Sequence, residues 1–176
     1  MKKHTCAVLL TAALLSAGIF VSGAAAEDSE ASRRTLASLP GVGVLVEPIQ
    51  PNVQRYAQKA GLTAVQLQKD IQSRLQAAGI RTFRGDDWLK VPGRPVLYVN
   101  VNTHETEKYW YAYDIRLELR QLVSLEANPA IKTLADTWSL NITGVANIGN
   151  MSVIRNDVMV LVERYVQAHL SVAHRK

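Results

Sequence analysis

The chain has 176 residues, one cysteine, 48% hydrophobic residues, 20% charged residues and a formal net charge of +5. That length suits one domain and excludes a dinucleotide-binding enzyme with a separate substrate domain. A lone cysteine excludes an intramolecular disulfide framework and a cysteine-rich zinc or iron–sulfur site. The hydrophobic fraction excludes wholesale disorder.

Residues 1–26 have the layout of a secretory leader. Lys2 and Lys3 make a positive start, residues 7–21 are apolar apart from Thr11, Ser16 and Gly18, and Ala24, Ala25 and Ala26 offer small residues to a peptidase. The run is shorter than the roughly 20 apolar residues that span a bilayer. Cleavage near Ala26 is expected, with a periplasmic or secreted product and no transmembrane segment in the mature chain. Cys6 precedes the apolar run and is not set in a lipobox, and the lysine pair is not a twin-arginine signal. Taking 26 residues from 176 leaves 150, with no cysteine and with 18 basic against 15 acidic residues, a net charge of +3. That modest, interspersed basicity argues against a nucleic-acid partner. About 150 residues can bury roughly 68–70% of the unfolded surface, enough for a core without disulfides.

Residues 27–38 form a polar leader with Arg33 and Arg34 at its centre. Residues 41–46 are a short β-branched run, ended by Glu47 and Pro48, and read as the first strand. Residues 48–61 read as a connection. Thr63 and Gln66 have capping-box spacing, Leu67, Ile71, Leu75 and Ala78 recur at helical spacing, and Gly79 suits a left-handed C-terminal cap. Residues 81–95 read as a loop, rich in glycine, proline and aspartate. Residues 96–103 alternate as a second strand, 104–108 form a charged turn, and 109–123 alternate strictly as a third. In that third strand Tyr109, Tyr111, Tyr113, Ile115, Leu117 and Leu119 share one face, and Trp110, Asp114, Arg116, Glu118 and Arg120 the other. A turn is expected at Asn128-Pro129 and a fourth strand over 138–143. Met151, Ile154, Val158, Leu161, Val162, Tyr165 and His169 mark a last helix, followed by a basic tail at 173–176.

The order β-α-β-β-β-α predicts an α+β, two-layer sandwich. A mainly antiparallel four-stranded sheet carries two helices on one face within a single domain over 39–172.

Residues 39–47, 61–80 and 111–119 are similar to a recurrent family of small secreted bacterial envelope proteins. The element order also resembles LptE-like lipopolysaccharide-assembly lipoproteins and the N-terminal domain of TolB. That resemblance implies an α/β sandwich that works by binding other envelope components. The chain lacks the lipobox cysteine of the former and the propeller that follows in the latter.

Catalytic signatures are scarce. No G-x-S-x-G elbow, P-loop or H-E-x-x-H pattern is present. His104 with Glu105 and Glu107 reads as a solvated turn, His169 as a half-buried structural histidine and His174 as part of the tail. Asp86-Asp87 reads as a turn former, although paired carboxylates distant in sequence could still meet in space. No metal, cofactor or catalytic residue is assigned. Partner-binding candidates are Trp110, Arg116, Glu118 and Arg120 on the wet face of the third strand. Arg84, Trp88 and Arg94 join them from a loop that also holds Arg81 and Lys90. Arginine with aromatic side chains suits an anionic or protein partner. The preferred reading is a non-enzymatic binding or assembly protein of the cell envelope that meets an envelope protein or an anionic envelope component. The alternative is a small secreted hydrolase using dispersed carboxylates.

Overall fold

Strict alternation in the third strand places Ile115, Leu117 and Leu119 in the core, each fully buried, and leaves Arg116 exposed on the opposite side. The computed structural model describes residues 28–173. The leader assigned to residues 1–26 and most of the basic tail lie outside the described residues. The elements are α1 (Glu30–Arg34), β1 (Gly43–Val46), α2 (Gln54–Lys59), α3 (Ala64–Ala77), β2 (Val96–Glu107), β3 (Trp110–Leu125), β4 (Asn128–Asn147) and α4 (Ser152–Ala173). A single 3-10 turn covers Asp87–Lys90.

The strands form one mixed sheet in the order β1-β2-β3-β4. β1 runs parallel to β2 because the chain crosses over through α2 and α3 before returning. The two tight hairpins that follow make β2-β3 and β3-β4 antiparallel. The protein is thus an α+β sandwich with α3 and α4 on one face of the sheet. Leu67, Ile71 and Leu75 of α3 pack with Val158, Leu161 and Val162 of α4 over the apolar side of the strands. Two ion pairs join these helices, Arg155 to Asp70 at 2.7 Å and Arg74 to Glu163 at 2.6 Å.

The start of α3 follows the capping rule, as the Thr63 hydroxyl accepts from the Gln66 N–H at 3.1 Å. The reciprocal bond is absent, because the Gln66 amide turns to Asp70 at 2.8 Å. Gly79 has φ of 78°, the left-handed cap that its position called for.

Four expectations are corrected. The connection at 48–61 contains α2, whose N-cap, Val53, offers no side-chain hydrogen bond. Residues 104–107 belong to β2, and the turn falls on Lys108 and Tyr109. Tyr109 therefore leaves the core face, with φ of 70° and an exposed ring. β4 is far longer than residues 138–143, and its hairpin turns at Glu126 and Ala127, ahead of Asn128-Pro129. Residues 121–136 consequently project as a two-stranded arm, solvent-exposed over most of its length.

The polar leader is held against the body. Ser29 and Ser32 form a capping box for α1, and Leu36 behind it is buried. Among the described residues no helix is long and apolar enough to cross a membrane.

Candidate functional site

Helices cover one side of the sheet, so the other side is where residue types can be chosen for contact. Its side chains fall in rows set by strand register. Gly43, Val96, Arg120 and Asp136 make the first row, and Leu45, Tyr98, Glu118 and Ser139 the second. Asn100, Arg116 and Asn141 follow, then Asn102, Asp114 and Thr143, then His104, Ala112 and Val145. Trp110 lies at the far end, beside Glu107 and Asn147.

The middle of this face is a fixed polar network. The Tyr98 hydroxyl and the Asn100 amide both donate to the carboxylate of Glu47, just beyond β1. The Asn102 amide donates to Asn100 Oδ1 at 2.5 Å. The Arg120 guanidinium lies 3.5 Å from the centroid of the Tyr98 ring, a cation–π contact. It also donates to Glu118 at 2.8 Å and to Asp136 at 2.9 Å. Arg116 donates to Asp114 at 3.1 Å.

Glu118 is the one member of the expected wet stripe that departs from it. It is only 9% exposed, because Tyr98 flanks it across β2 and Arg120 folds over it. Arg120 itself is half-buried, whereas Arg116 and Trp110 are exposed. The alternation over residues 96–103 puts Tyr98, Asn100 and Asn102 on one face of the strand. It gave no sign that Glu47, beyond the end of β1, would bind two of them.

The seven candidate residues do not converge on one spot. Trp88 folds over the β1 edge onto the open face, where its indole lies where a side chain at Gly43 would otherwise stand. Trp110 is 45% exposed at the other end. Ten residues of β3 separate the Arg120 row from Trp110, about 33 Å at roughly 3.3 Å per residue. Arg84 and Arg94 are exposed on the loop around Trp88. Arg94 joins Lys90 and Lys132 in a groove of about 450 Å³ between that loop and the β3-β4 arm. The Leu122 N–H, donating to the Gly93 carbonyl at 2.7 Å, ties the loop to the arm there.

A shallow depression of about 470 Å³ lies toward the Trp110 end, between Asn102, His104, Ala112, Asp114, Thr143 and Val145. The small side chain of Ala112 leaves room for it between its larger neighbours. Behind Gly144 the Tyr113 ring occupies the space a Cβ would need, with its hydroxyl donating to Asp157 at 2.5 Å. Burial, reinforced by that carboxylate, pushes the Tyr113 phenol up to about 12. Asp114 is the one carboxylate in the depression, and it is paired with Arg116.

Among the described residues no three His, Cys, Asp or Glu side chains gather in a way that could hold a metal ion. Glu105 instead accepts from the Tyr109 N–H at 3.2 Å and helps close the hairpin. Asp87 is tied to Lys90 at 2.7 Å, which holds its carboxyl below the usual range. His169 is half-buried against the buried Tyr165, with ring centroids 5.9 Å apart.

No protein-family model matches the chain, and no curated protein shows significant sequence similarity to it.

Proposed function

We propose that the chain is a non-enzymatic binding or assembly protein of the cell envelope, periplasmic or secreted once residues 1–26 are removed. Its contact surface is the open face of the sheet. The partner is an envelope protein or an anionic envelope component, in keeping with the resemblance of the element order to LptE-like lipoproteins and the TolB N-terminal domain.

The observation that carries this reading is the open face itself. It presents an exposed Trp110 beside a shallow apolar depression, and along it the charged side chains are already fixed by their neighbours. Side chains that are ordered before association lose little entropy on binding. Tryptophan and arginine are the types most enriched where binding energy concentrates. Hydrolysis with paired carboxylates needs two of them flanking a bond, whereas the depression offers Asp114 alone, engaged by Arg116.

Cross-linked recovery of partners from the envelope fraction of the native organism tests the reading. Trp110→Ala and Arg116→Ala should each lose partners that the wild-type chain retains, at unchanged thermal stability. Wild-type recovery by both variants rules out the open face.

A further inference from the structure

The arm formed by the ends of β3 and β4 carries apolar side chains where it is wet. Leu122 pairs with Leu134, Val123 with Thr133 and Ser124 with Lys132, and the chain then turns at Glu126 and Ala127. By the period-two rule Leu122 and Leu134 belong to one side of the arm and Leu125 to the other. Leu125, Ile131 and Leu134 are exposed, and Glu126 is the one charged residue from 125 to 131. Exposed apolar groups gathered in this way mark a protein or membrane contact.

Cations stand at the base of the arm. Lys90, Arg94 and Lys132 line the groove of about 450 Å³, whose walls include Leu89 and Leu122 and no carboxylate. Lys90 is paired with Asp87 at 2.7 Å, whereas Arg94 and Lys132 make no ion pair among the described residues. Arg94 has φ of 43°, directly after Gly93 with φ of 76°. Glycine takes that left-handed conformation freely, and an arginine there is strained. The turn is thus built around a side chain that suits contact better than it suits the backbone.

We infer that the arm tip enters the interfacial region of an anionic lipid bilayer, with lipid phosphates held by Lys90, Arg94 and Lys132 in the groove. A bilayer fits better than a protein cleft because the apolar groups lie on both sides of the arm, so the medium must surround the tip. The cations follow at the level where headgroups would stand. The turn lies two to three residues beyond Ser124, about 7–10 Å at roughly 3.3 Å per residue. Interfacial segments enter a bilayer by about 5–10 Å. Glu126 limits the depth, since a carboxylate is costly in hydrocarbon.

A chain beginning at Glu27 keeps every described element and the whole core, and lacks the apolar stretch 7–21, which would bind lipid by itself. It should sediment with vesicles of phosphatidylglycerol and phosphatidylcholine in equal parts, and not with phosphatidylcholine alone. Arg94→Gly and Lys132→Ala should each weaken binding about fivefold, the share of one cation near an anionic surface. Arg94→Gly also relieves the strained turn, so its melting temperature should hold or rise while its binding falls, a combination that a merely structural arginine would not give. Leu125→Ser with Ile131→Ser should weaken binding about tenfold or more. The shortened chain has no cysteine, so a polarity-sensitive dye on Ile131→Cys reports the arm alone. Its emission should shift to the blue on the mixed vesicles, and the same dye on Lys69→Cys, exposed on α3, should not shift. Glycerol phosphate at matched ionic strength should not displace the chain. Equal binding to both vesicle types, undiminished binding by Arg94→Gly and Lys132→Ala, an unmoved dye or displacement by glycerol phosphate overturns the inference. So does a dimer in lipid-free solution that Leu125→Ser with Ile131→Ser dissolves, which would assign the tip to a second copy. No envelope partner enters these measurements, so their failure leaves the open-face reading as it stands.

Discussion

The indole N–H of Trp138 donates a 2.9 Å hydrogen bond to the carboxylate of Asp28, 110 residues earlier in the chain. The same carboxylate accepts two bonds from Arg33, at 2.6 and 2.7 Å. Arg33, burial and Trp138 act on Asp28 in that order of strength. Burial opposes the other two, and the net effect lowers its pKa from the ordinary 3.8. A carboxyl whose folded-state value is depressed gives stability that is complete above the unfolded value and lost as pH falls through the folded one. Asp28→Ala should cost about 1–3 kcal/mol, because it strands the buried Trp138 N–H. Asp28→Asn keeps an acceptor for the indole and should cost less. Chemical denaturation followed by tryptophan fluorescence gives both values. In the wild type the stability should fall as pH drops below 3.8, and both variants should show a shallower slope there.

Leu117 and Arg116 are neighbours in sequence on opposite faces of β3. Leu117 is fully buried, and Arg116 is exposed in a surface ion pair. Leu117→Ala should cost about 2–5 kcal/mol through the cavity it leaves. Arg116→Ala should change stability by about 0.5 kcal/mol or less. Equal losses in urea unfolding would contradict the register described here.

Gly43 is where the loop meets the sheet. A Cβ there would stand 2.6 Å from the Trp88 indole, closer than packed carbons can approach. Gly43→Ala should expel Trp88 from the open face. The expected readout is a red shift and easier quenching of one of the three tryptophans, with Trp88→Phe serving to assign it.

The half-buried His169 lies against the buried Tyr165. The Nδ1 of one and the hydroxyl of the other lack hydrogen-bond partners among the described residues. Burial lowers the His169 pKa from its ordinary 6.5. The unfolded chain therefore takes up the proton first, and stability falls as pH drops below 6.5. The melting temperature should decrease between about pH 7.5 and pH 5.5, the range in which histidine titrates. His169→Leu should flatten that part of the profile, and an unchanged slope would assign the dependence to another group.

What could be read from the sequence was what repeats at short range. The alternation through Ile115, Leu117 and Leu119 and the stripe Leu67, Ile71 and Leu75 are imposed by burial, so they mark strand and helix directly. α2 carries neither a cap nor a stripe of any length, and only Ala57 of it is buried. The β3-β4 arm was missed because its side chains are exposed on both faces, which removes the alternation that reveals a strand. The open face was legible as polar, but its chemistry was not. Glu47 meets Tyr98 across 51 residues and Asn100 across 53. Such pairings follow from the parallel register of β1 and β2, which no local pattern encodes.

α4 is the last described element, and it lays Ile154, Val158, Leu161, Val162 and Tyr165 into the core shared with the sheet. A chain emerging from a ribosome presents β2, β3 and β4 before that cover exists. The meander can form early from its local hairpins, but its apolar side stays wet until α4 has followed. Closing of the core thus waits on a helix that comes after every strand it covers. Chains cut short before Ser152 should remain open and be degraded.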